Sequence, residues 1–183
     1  MNQEVVHGIP DKHRIIHEGD IVSLDAGLIY KGYHSDAART HAVGEVSEEA
    51  KKLIQVTKEC FFEGIKYAKA GNHLFDISGA IGRYAEERGY GVVRDLCGHG
   101  IGTALHEAPE IPNYEVGRKG VKLRPGMTLA IEPMINIGTY EVDWLDDDWT
   151  VVTRDGSLSA HYENTILITE GEPRILSLTC DNE

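Results

Sequence analysis

The sequence predicts an α+β fold in which two helices pack on a mostly antiparallel sheet. An early pair of strand patterns joined by a tight turn is followed by two consecutive helical patterns. After Val92 the pattern changes to short extended pieces that alternate with turns. A length of 183 residues suits one domain with a sizeable core, so we expect a single domain over residues 1–183.

The first strand pair is indicated by an apolar run and by the turn that follows it. Residues 21–29 are mostly apolar, which is typical of a buried strand. Lys31 and Gly32 can turn the chain, and residues 33–43 then form the returning strand, which ends at Gly44.

The two helices are predicted by their ends and by the spacing of their apolar residues. Ser47 supplies a capping hydroxyl, and the two acids after it lie at the positive end of the helix dipole. This helix runs toward Ala70, with Gly71 as its end. The second helix fits residues 74–88 and ends at Gly89.

The second half of the chain is predicted to form short strands. Turns at Pro125-Gly126 and Asp155-Gly156 separate some of them. The predicted strands cover residues 97–101, 127–137, 149–153 and 161–168.

Composition bears on partners and compartment. There are 18 Lys and Arg against 30 Asp and Glu, and the formal charge of −12 argues against nucleic acid or an anionic membrane as the main partner. Cys60, Cys97 and Cys180 are an odd number at unrelated spacings, which favours a reducing compartment. No apolar run approaches the length of a membrane span and no signal peptide is evident, so the predicted location is the cytoplasm.

Three acids stand in apolar strand patterns: Asp25, Glu132 and Glu163. Carboxylates rarely occupy core strands unless they are paired or bound to metal. Any one of them could instead face solvent from an amphipathic strand, but three in one small domain favour a site.

A fourth acid, Asp36, is predicted to join them. A hairpin turning near Lys31 puts Asp25 and Asp36 roughly opposite each other, and opposed residues point to the same face. Two like charges there repel unless a cation lies between them. The alternative is a shift in register that turns Asp36 to solvent.

His99 lies between glycines in Cys97-Gly-His99-Gly-Ile-Gly, where the backbone can bend closely around the imidazole. Four carboxylates and one neutral imidazole carry a charge of −4, which two divalent cations cancel. Oxygen-rich sites with a single nitrogen ligand suit Mn, Fe, Co or Zn. Two such metals about 3.5–4 Å apart can share a bridging water.

Six motifs occur in an order that resembles the type I methionine aminopeptidases, from residue 2 to about Leu176. They are Val6-His7-Gly-Ile-Pro-Asp11, Ser23-Leu-Asp25-Ala-Gly with Gly32-Tyr-His-Ser-Asp36, Cys97-Gly-His99-Gly-Ile-Gly, Leu105-His106-Glu-Ala-Pro, Arg124-Pro-Gly-Met-Thr-Leu-Ala-Ile-Glu132-Pro-Met, and His161-Tyr-Glu163-Asn-Thr.

This resemblance implies a fold and an activity. The fold would be the pita-bread fold, a curved antiparallel sheet with helices on its outer face and metals on its concave face. The activity would be removal of the initiator methionine from nascent proteins and peptides whose second residue is small. The substrate's free α-amine would lie on a metal, and the resemblance leaves the oligomeric state open.

The resemblance also implies roles for individual residues. Five metal ligands are implied: Asp25, Asp36, His99, Glu132 and Glu163. Of these, Asp36 and Glu163 would bridge both ions. Glu132 would also take a proton from the bridging water, His106 would stabilise the oxyanion, and His7 would contact the scissile amide. Leu105 and Trp149 would join these two histidines in binding substrate.

Two departures from the family pattern concern the methionine pocket. The family has several dozen residues before the His-Gly-Ile-Pro motif, whereas this chain starts at Met1, almost at the motif. Because that segment frames the fold and lines the pocket in the family, we expect apolar surface to be exposed here. Leu105 also stands where some members carry an aromatic residue.

Other functions fit part of the pattern. Prolidases and Xaa-Pro aminopeptidases of the same fold share the five ligands, but the Val-His-Gly-Ile-Pro opening and residues 149–161 favour the methionine enzyme. A catalytically weak binding homologue is a further alternative, although such proteins commonly lose ligands and all five are present here.

The remaining histidines have no role in this pattern. His161, two residues before Glu163, would share its strand face and is either a neighbour of the ligands or a structural residue. The others stand in polar or strand-edge contexts and are predicted to lie mostly at the surface: His13, His17, His34, His41 and His73.

Overall fold

A computed structural model describes residues 1–178, so Cys180 lies outside the described residues. Along the chain, two helices, α1 (Glu48–Ile65) and α2 (Leu74–Glu86), follow the first three strands and precede the other ten of the described residues. The strands within the described range are β1 (Glu4–Val6), β2 (Ile21–Tyr30), β3 (Tyr33–Ala42), β4 (Gly91–Val92), β5 (Gly98–Gly100), β6 (Glu107–Ile111), β7 (Thr128–Ile131), β8 (Met134–Asn136), β9 (Val142–Trp144), β10 (Val151–Thr153), β11 (Ser159–His161), β12 (Asn164–Leu167) and β13 (Arg174–Ile175).

The hairpin of β2 and β3 turns where the sequence predicts. Tyr30 pairs with Tyr33, so the loop holds only Lys31 and Gly32. Both loop residues have positive φ, 50° and 82°, as a two-residue hairpin turn requires.

This turn sets the register of the two acids. Asp25 lies opposite Ala38, and Asp36 lies opposite Gly27. The acids therefore share one face of the hairpin, as predicted, but they are not directly opposed, because the pair Ala26–Ala37 lies between their two pairs. The predicted alternative, with Asp36 turned to solvent, is wrong, because Asp36 is buried.

Both helices start as predicted and end earlier. The Ser47 hydroxyl accepts a hydrogen bond from the Ala50 N–H, which caps α1. The predicted end at Ala70 is wrong, because Tyr67 and Ala68 donate to carbonyls three residues earlier, and this tighter turn closes the helix. The α2 helix stops two residues before the predicted position 88.

Two predicted strands are each broken in two. The stretch 127–137 separates into β7 and β8 around Glu132 and Pro133, and proline offers no N–H to continue a ladder. In the predicted stretch 161–168, β11 ends at His161 and β12 covers Asn164–Leu167, with Tyr162 and Glu163 between the two strands. Since β7 pairs with β12 and β8 with β11, both breaks lie at one level, and each holds a predicted ligand.

The shorter strands depart from prediction mainly in length. The stretches 97–101 and 149–153 are observed as the three-residue strands β5 and β10. Five strands that the sequence did not predict complete the antiparallel sheets: β1, β4, β6, β9 and β13.

The hydrophobic core lies between the helices and one face of the sheets. Phe61 of α1 packs against Tyr162, with ring centroids 5.4 Å apart. Because neighbouring residues of an extended chain point to opposite faces, His161 and Glu163 point away from this core. The antiparallel sheets with helices on one face agree with the predicted α+β class.

One face of the β2–β3 hairpin is apolar and open. Leu24, Leu28 and Tyr30 are each more than half exposed, and so is Tyr33 across the strand pair. We call these four residues the hairpin face. Among residues 1–178, no helix has both the length and the apolar character needed to cross a bilayer.

Candidate metal centre

Three predicted ligands lie close enough to share a cation. Ligand atoms of Asp36, His99 and Glu163 all fall within 4.8 Å of one another. They come from β3, from β5 and from the break between β11 and β12. The centre therefore joins segments that are far apart in the chain.

Hydrogen bonds to the main chain on both sides of the Asp36 side chain hold it beside Glu163. The Thr165 hydroxyl accepts from the Asp36 N–H at 2.9 Å and donates to the Asp36 carbonyl at 3.0 Å. The Glu163 N–H donates to the Ala38 carbonyl at 2.9 Å. These bonds fix the two backbones, so each carboxylate leaves its strand in a defined direction.

The Arg39 side chain also joins the segment around Asp36 to the segment around Glu163 through hydrogen bonds. Its guanidinium donates to the Ala38 carbonyl at 2.6 Å, to the Glu163 carbonyl, and to Asn164 Oδ1 at 2.6 Å. It also lies over the Tyr162 ring, 4.1 Å from the centroid. Arg39 is thus positioned to hold the Glu163 peptide, and its positive charge opposes the rise in the pKa of the Glu163 carboxyl.

His99 presents one ring nitrogen to the acids. Its Nδ1 lies 2.9 Å from the Gly100 carbonyl, and if Nδ1 carries the proton, Nε2 keeps a lone pair for a ligand. That Nε2 lies 3.5 Å from Glu132 Oε1. The flanking glycines are required by space: a side chain at Gly98 would collide with the Ala130 carbonyl, and one at Gly100 with the Ala108 carbonyl.

A second histidine borders Glu132. His161 Nε2 lies 3.6 Å from Glu132 Oε2, too far for a normal hydrogen bond. His161 is 2% exposed, and its Nε2 has no hydrogen-bond partner among the described residues. The sequence left its role open, and the structure places it beside a predicted ligand.

Glu163 and Asp25 are held in an environment that resists their ionisation. Burial raises the pKa of Glu163 to about 10, and the charges of Glu132, Asp36 and Asp25 add to the rise. The pKa of Asp25 is also raised, first by loss of hydration, with Asp36 and Glu132 adding and His161 opposing. Glu163 Oε1 is buried without a hydrogen-bond partner in the described part of the chain. Divalent cations fit this donor set, because they would supply the missing positive charge.

The remaining predicted site residues lie around this group. The His106 ring meets the His99 ring edge-on, with centroids 4.4 Å apart. The Leu105 side chain packs over Gly27: a Cβ atom added to this glycine would lie 3.6 Å from Leu105 Cδ1. His7 and Trp149 form a separate edge-on pair with centroids 6.3 Å apart.

Two cavities with different linings flank the group. The tryptophan cavity, of about 870 Å³, is bounded by His7, Trp149, Asp25 and His161 and by apolar side chains of the β1 and β2 regions. The edge-strand cavity, of about 840 Å³, is bounded by His99 and His106 at one end, by β6, and by the start of α2 with the loop before Leu123. The structure therefore separates His7 and His106, which the sequence placed together at the substrate.

Sequence reasoning missed Arg39 and Thr165, whose partners are more than 120 residues away in the chain. For His161 the available signal was its spacing of two residues from Glu163. The other histidines agree with the surface prediction, since three are exposed and two are half-buried: His13, His17 and His41, then His34 and His73.

Known proteins share this architecture. Residues 1–170 match metallopeptidase family M24. A methionine aminopeptidase of Clostridium acetobutylicum is 61% identical over 178 residues, which are 97% of this chain and 71% of that protein. The crystal structure of a methionine aminopeptidase from Thermotoga maritima is 50% identical with a TM-score of 0.95, over 97% of this chain and 72% of that one.

A prolidase from Pyrococcus furiosus is more distant. It is 30% identical with a TM-score of 0.68, over 90% of this chain and 43% of that one. These likenesses confirm the predicted pita-bread fold. The chain belongs to metallopeptidase family M24, and the difference in identity places it with the methionine aminopeptidases of that family rather than with the prolidases.

Proposed function

We propose that the chain removes the N-terminal methionine from nascent proteins and peptides whose second residue is small, with two divalent metal ions. The observation that carries this proposal is the convergence of acids and one imidazole, with Asp36, His99 and Glu163 within 4.8 Å of one another. The relatives named methionine aminopeptidase give the substrate class.

Five residues would hold the metals: Asp25, Asp36, His99, Glu132 and Glu163. Their charge of −4 matches two divalent cations, and the donor set suits Mn, Fe, Co or Zn. When bound, the metals would polarise the scissile carbonyl and lower the pKa of a bound water.

The chain's own residues would move protons and bind charge. Glu132 lies between two imidazoles, and its carboxylate would take the proton of the attacking water. His106 lies against His99, with ring centroids 4.4 Å apart, and would donate a hydrogen bond to the oxyanion. His7 would contact the scissile amide.

The methionine side chain would enter the tryptophan cavity. Trp149 and apolar residues of the β1 and β2 regions line it beside His7 and Asp25, which suits an unbranched thioether side chain. Leu105, next to Asp36 across Gly27, would limit the space beside the metals. A bulky second residue would meet His106 beside His99, which favours small residues there. Action on nascent chains and the free thiols Cys60 and Cys97 fit a cytoplasmic location.

The test is a peptide assay on the purified chain. We expect Met-Ala peptides to be cleaved, chelator to abolish cleavage, and Mn, Co or Fe to restore it. Full activity in the presence of chelator after dialysis would contradict the two-metal proposal. Faster cleavage of Xaa-Pro than of Met-Ala would favour a prolidase, and metal binding without cleavage would favour a binding homologue.

Paired variants separate metal binding from chemistry. Asp36→Asn and Glu163→Gln should reduce metal content, because each removes a ligand expected to serve both ions. His106→Ala should keep its metal and lose about 10²–10³-fold in kcat, the range for a lost transition-state donor. Loss of metal in His106→Ala with an unchanged rate per metal would show that His106 is a ligand instead.

A further inference from the structure

We propose that Asn113 is a positioning residue for Glu132, which holds the main chain of this glutamate so that its carboxylate faces the metal centre. This inference rests on the proposed function of Glu132 and adds a residue that acts on the reaction only through another.

The first argument is the hydrogen bond between the two residues. Asn113 Nδ2 donates to the Glu132 carbonyl at 3.0 Å, and Asn113 is only 1% exposed. Within residues 1–178, no main-chain N–H donates to this carbonyl. The side-chain amide of Asn113 therefore fixes the orientation of the peptide between Glu132 and Pro133.

The second argument is the break in the sheet at Glu132. β7 ends at Ile131, and main-chain pairing resumes where the Tyr162 N–H donates to the Pro133 carbonyl at 3.2 Å. Pro133 itself has no N–H to offer. The ladder thus leaves the Glu132 carbonyl without a strand partner, and Asn113 supplies the missing donor.

The third argument is the state of the Glu132 carboxylate. Its oxygens lie 3.5 Å from His99 Nε2 and 3.6 Å from His161 Nε2. Both distances exceed the range of about 2.7–3.2 Å for a normal N–H···O hydrogen bond. Because neither imidazole holds the carboxylate in the metal-free chain, its direction depends on the main chain of Glu132.

The fourth argument is the support behind Asn113. Helix α2 packs directly on the main chain that follows β6. A Cβ atom added to Gly82 would lie 2.8 Å from Tyr114 Cα and 3.3 Å from the Asn113 carbonyl oxygen. Only glycine allows so close an approach, so the helix and the sheet hold Asn113 from two sides.

Asn113 lies behind the metal centre rather than in a cavity. It lines neither the tryptophan cavity nor the edge-strand cavity, and its partner is the main chain of Glu132. Its effect on catalysis therefore passes through Glu132, and its loss should change kcat rather than KM.

The experiment compares two buried asparagines in the Mn-loaded chain. Asn113→Leu has a similar shape and no N–H donor. Asn136→Leu is the matched control, because Asn136 is fully buried and donates to the Thr139 carbonyl at 2.9 Å, away from every proposed ligand. We expect Asn113→Leu to lower kcat with Met-Ala about 10–100-fold while KM changes little, and Asn136→Leu to keep both values. Equal kcat in the two variants would overturn the inference.

A further substitution tests the donor itself. Nδ1 of a histidine lies as many bonds from Cα as Nδ2 of an asparagine, so Asn113→His can donate to the same carbonyl. This variant should recover most of the lost kcat. A loss as large as that of Asn113→Leu would mean that Asn113 acts only through packing. Melting temperatures show which chains fold, and Asn113→Ala replaces Asn113→Leu if the leucine chain does not.

A metal measurement keeps the two proposals apart. Co absorbs visible light, and its spectrum changes with the positions of its ligands. Asn113→Leu should alter the spectrum of the Co-loaded chain and bind Co about tenfold more weakly, whereas Asn136→Leu should match the wild-type chain.

This comparison does not depend on peptide cleavage. If the wild-type chain binds Co and cleaves no peptide, the proposed function fails, and the Co spectra and affinities decide the inference. Identical spectra and affinities in Asn113→Leu and the wild-type chain would overturn it, and so would a wild-type chain that binds no Co.

Discussion

His161 and Glu132 face each other at the edge of the metal centre, with Nε2 of the histidine 3.6 Å from Oε2 of the glutamate. The imidazole is buried, and its Nε2 has no hydrogen-bond partner in the described chain. A small closure on metal binding would turn this approach into a hydrogen bond that orients the glutamate.

Removing that donor should weaken the site without unfolding it. His161→Leu should cost about 10–100-fold in metal affinity or in kcat, the usual effect of losing a group that orients a ligand. His161→Gln keeps an N–H donor and should recover most of this loss. Calorimetric Mn titration and the melting temperature of the metal-free chain measure binding and stability separately. Equal losses in both variants would mean that His161 acts only through packing.

Arg39 should stabilise both the fold and the centre. Arg39→Ala removes donors to two carbonyls and to Asn164, and it should lower the free energy of unfolding by about 2–3 kcal/mol. Metal stoichiometry should also fall, because the Glu163 peptide loses its support. Urea denaturation and metal analysis test both effects.

Arg88→Ala serves as the control for Arg39. Arg88 is exposed on the helix side and lies over the Tyr84 ring, 3.5 Å from the centroid. Its removal should change stability by less than about 0.5 kcal/mol. Similar results for the two arginine variants would contradict a specific role for Arg39.

Glu163 should make metal binding depend on pH. Its pKa is raised to about 10 in the folded metal-free chain, so it carries a proton at neutral pH and must release it to bind a cation. We expect Mn affinity to rise with pH, and binding enthalpies to differ between buffers of different ionisation heat. Binding without proton release near pH 7 would contradict the raised pKa.

The same group should affect the stability of the metal-free chain. The pKa of Glu163 is raised above the ordinary 4.5, so the protonated carboxyl favours the folded state. Its contribution to the free energy of unfolding is fully present below pH 4.5 and is lost as pH rises toward 10. The free energy of unfolding should therefore fall across this window. Glu163→Gln should flatten the fall, and an unchanged slope in that variant would assign the effect to other groups.

The hairpin face should promote self-association. Leu24 and Leu28 are 60% and 59% exposed on the side of β2 opposite Asp25, and contiguous apolar surface drives association. Sedimentation should show concentration-dependent association of the wild-type chain. A Leu24→Lys and Leu28→Lys double variant should reduce it and keep Mn affinity. Leu176→Lys, at another exposed leucine, is the control and should associate like the wild-type chain.

The sequence was sufficient to predict that Asp25 and Asp36 share a face, because strand periodicity is two and Lys31-Gly32 marks the turn. It did not define their offset, since one residue more or less in the loop changes every pair. The pairing of Tyr30 with Tyr33 sets this offset.

Other features depend on contacts that local sequence does not encode. Apolar residues flank Glu132 on both sides, and the stretch from Tyr162 to Ile168 is rich in strand-forming residues, so each stretch resembles one continuous strand. The pairing of β7 with β12 and of β8 with β11 breaks both. Arg39 looks like an ordinary polar residue of β3, because its partners Glu163 and Asn164 lie 124 and 125 positions away.

The reciprocal bonds between Asp36 and Thr165 join residues 129 positions apart, which has a consequence for biosynthesis. During translation, Asp25 and Asp36 leave the ribosome long before Glu163, so most of the polypeptide exists before the five proposed ligands can meet. The metal-binding site is thus one of the last features a newly made molecule acquires. Metal uptake should appear in a single late step, and ribosome-bound chains stalled before Glu163 should retain no ion at the affinity of the released protein.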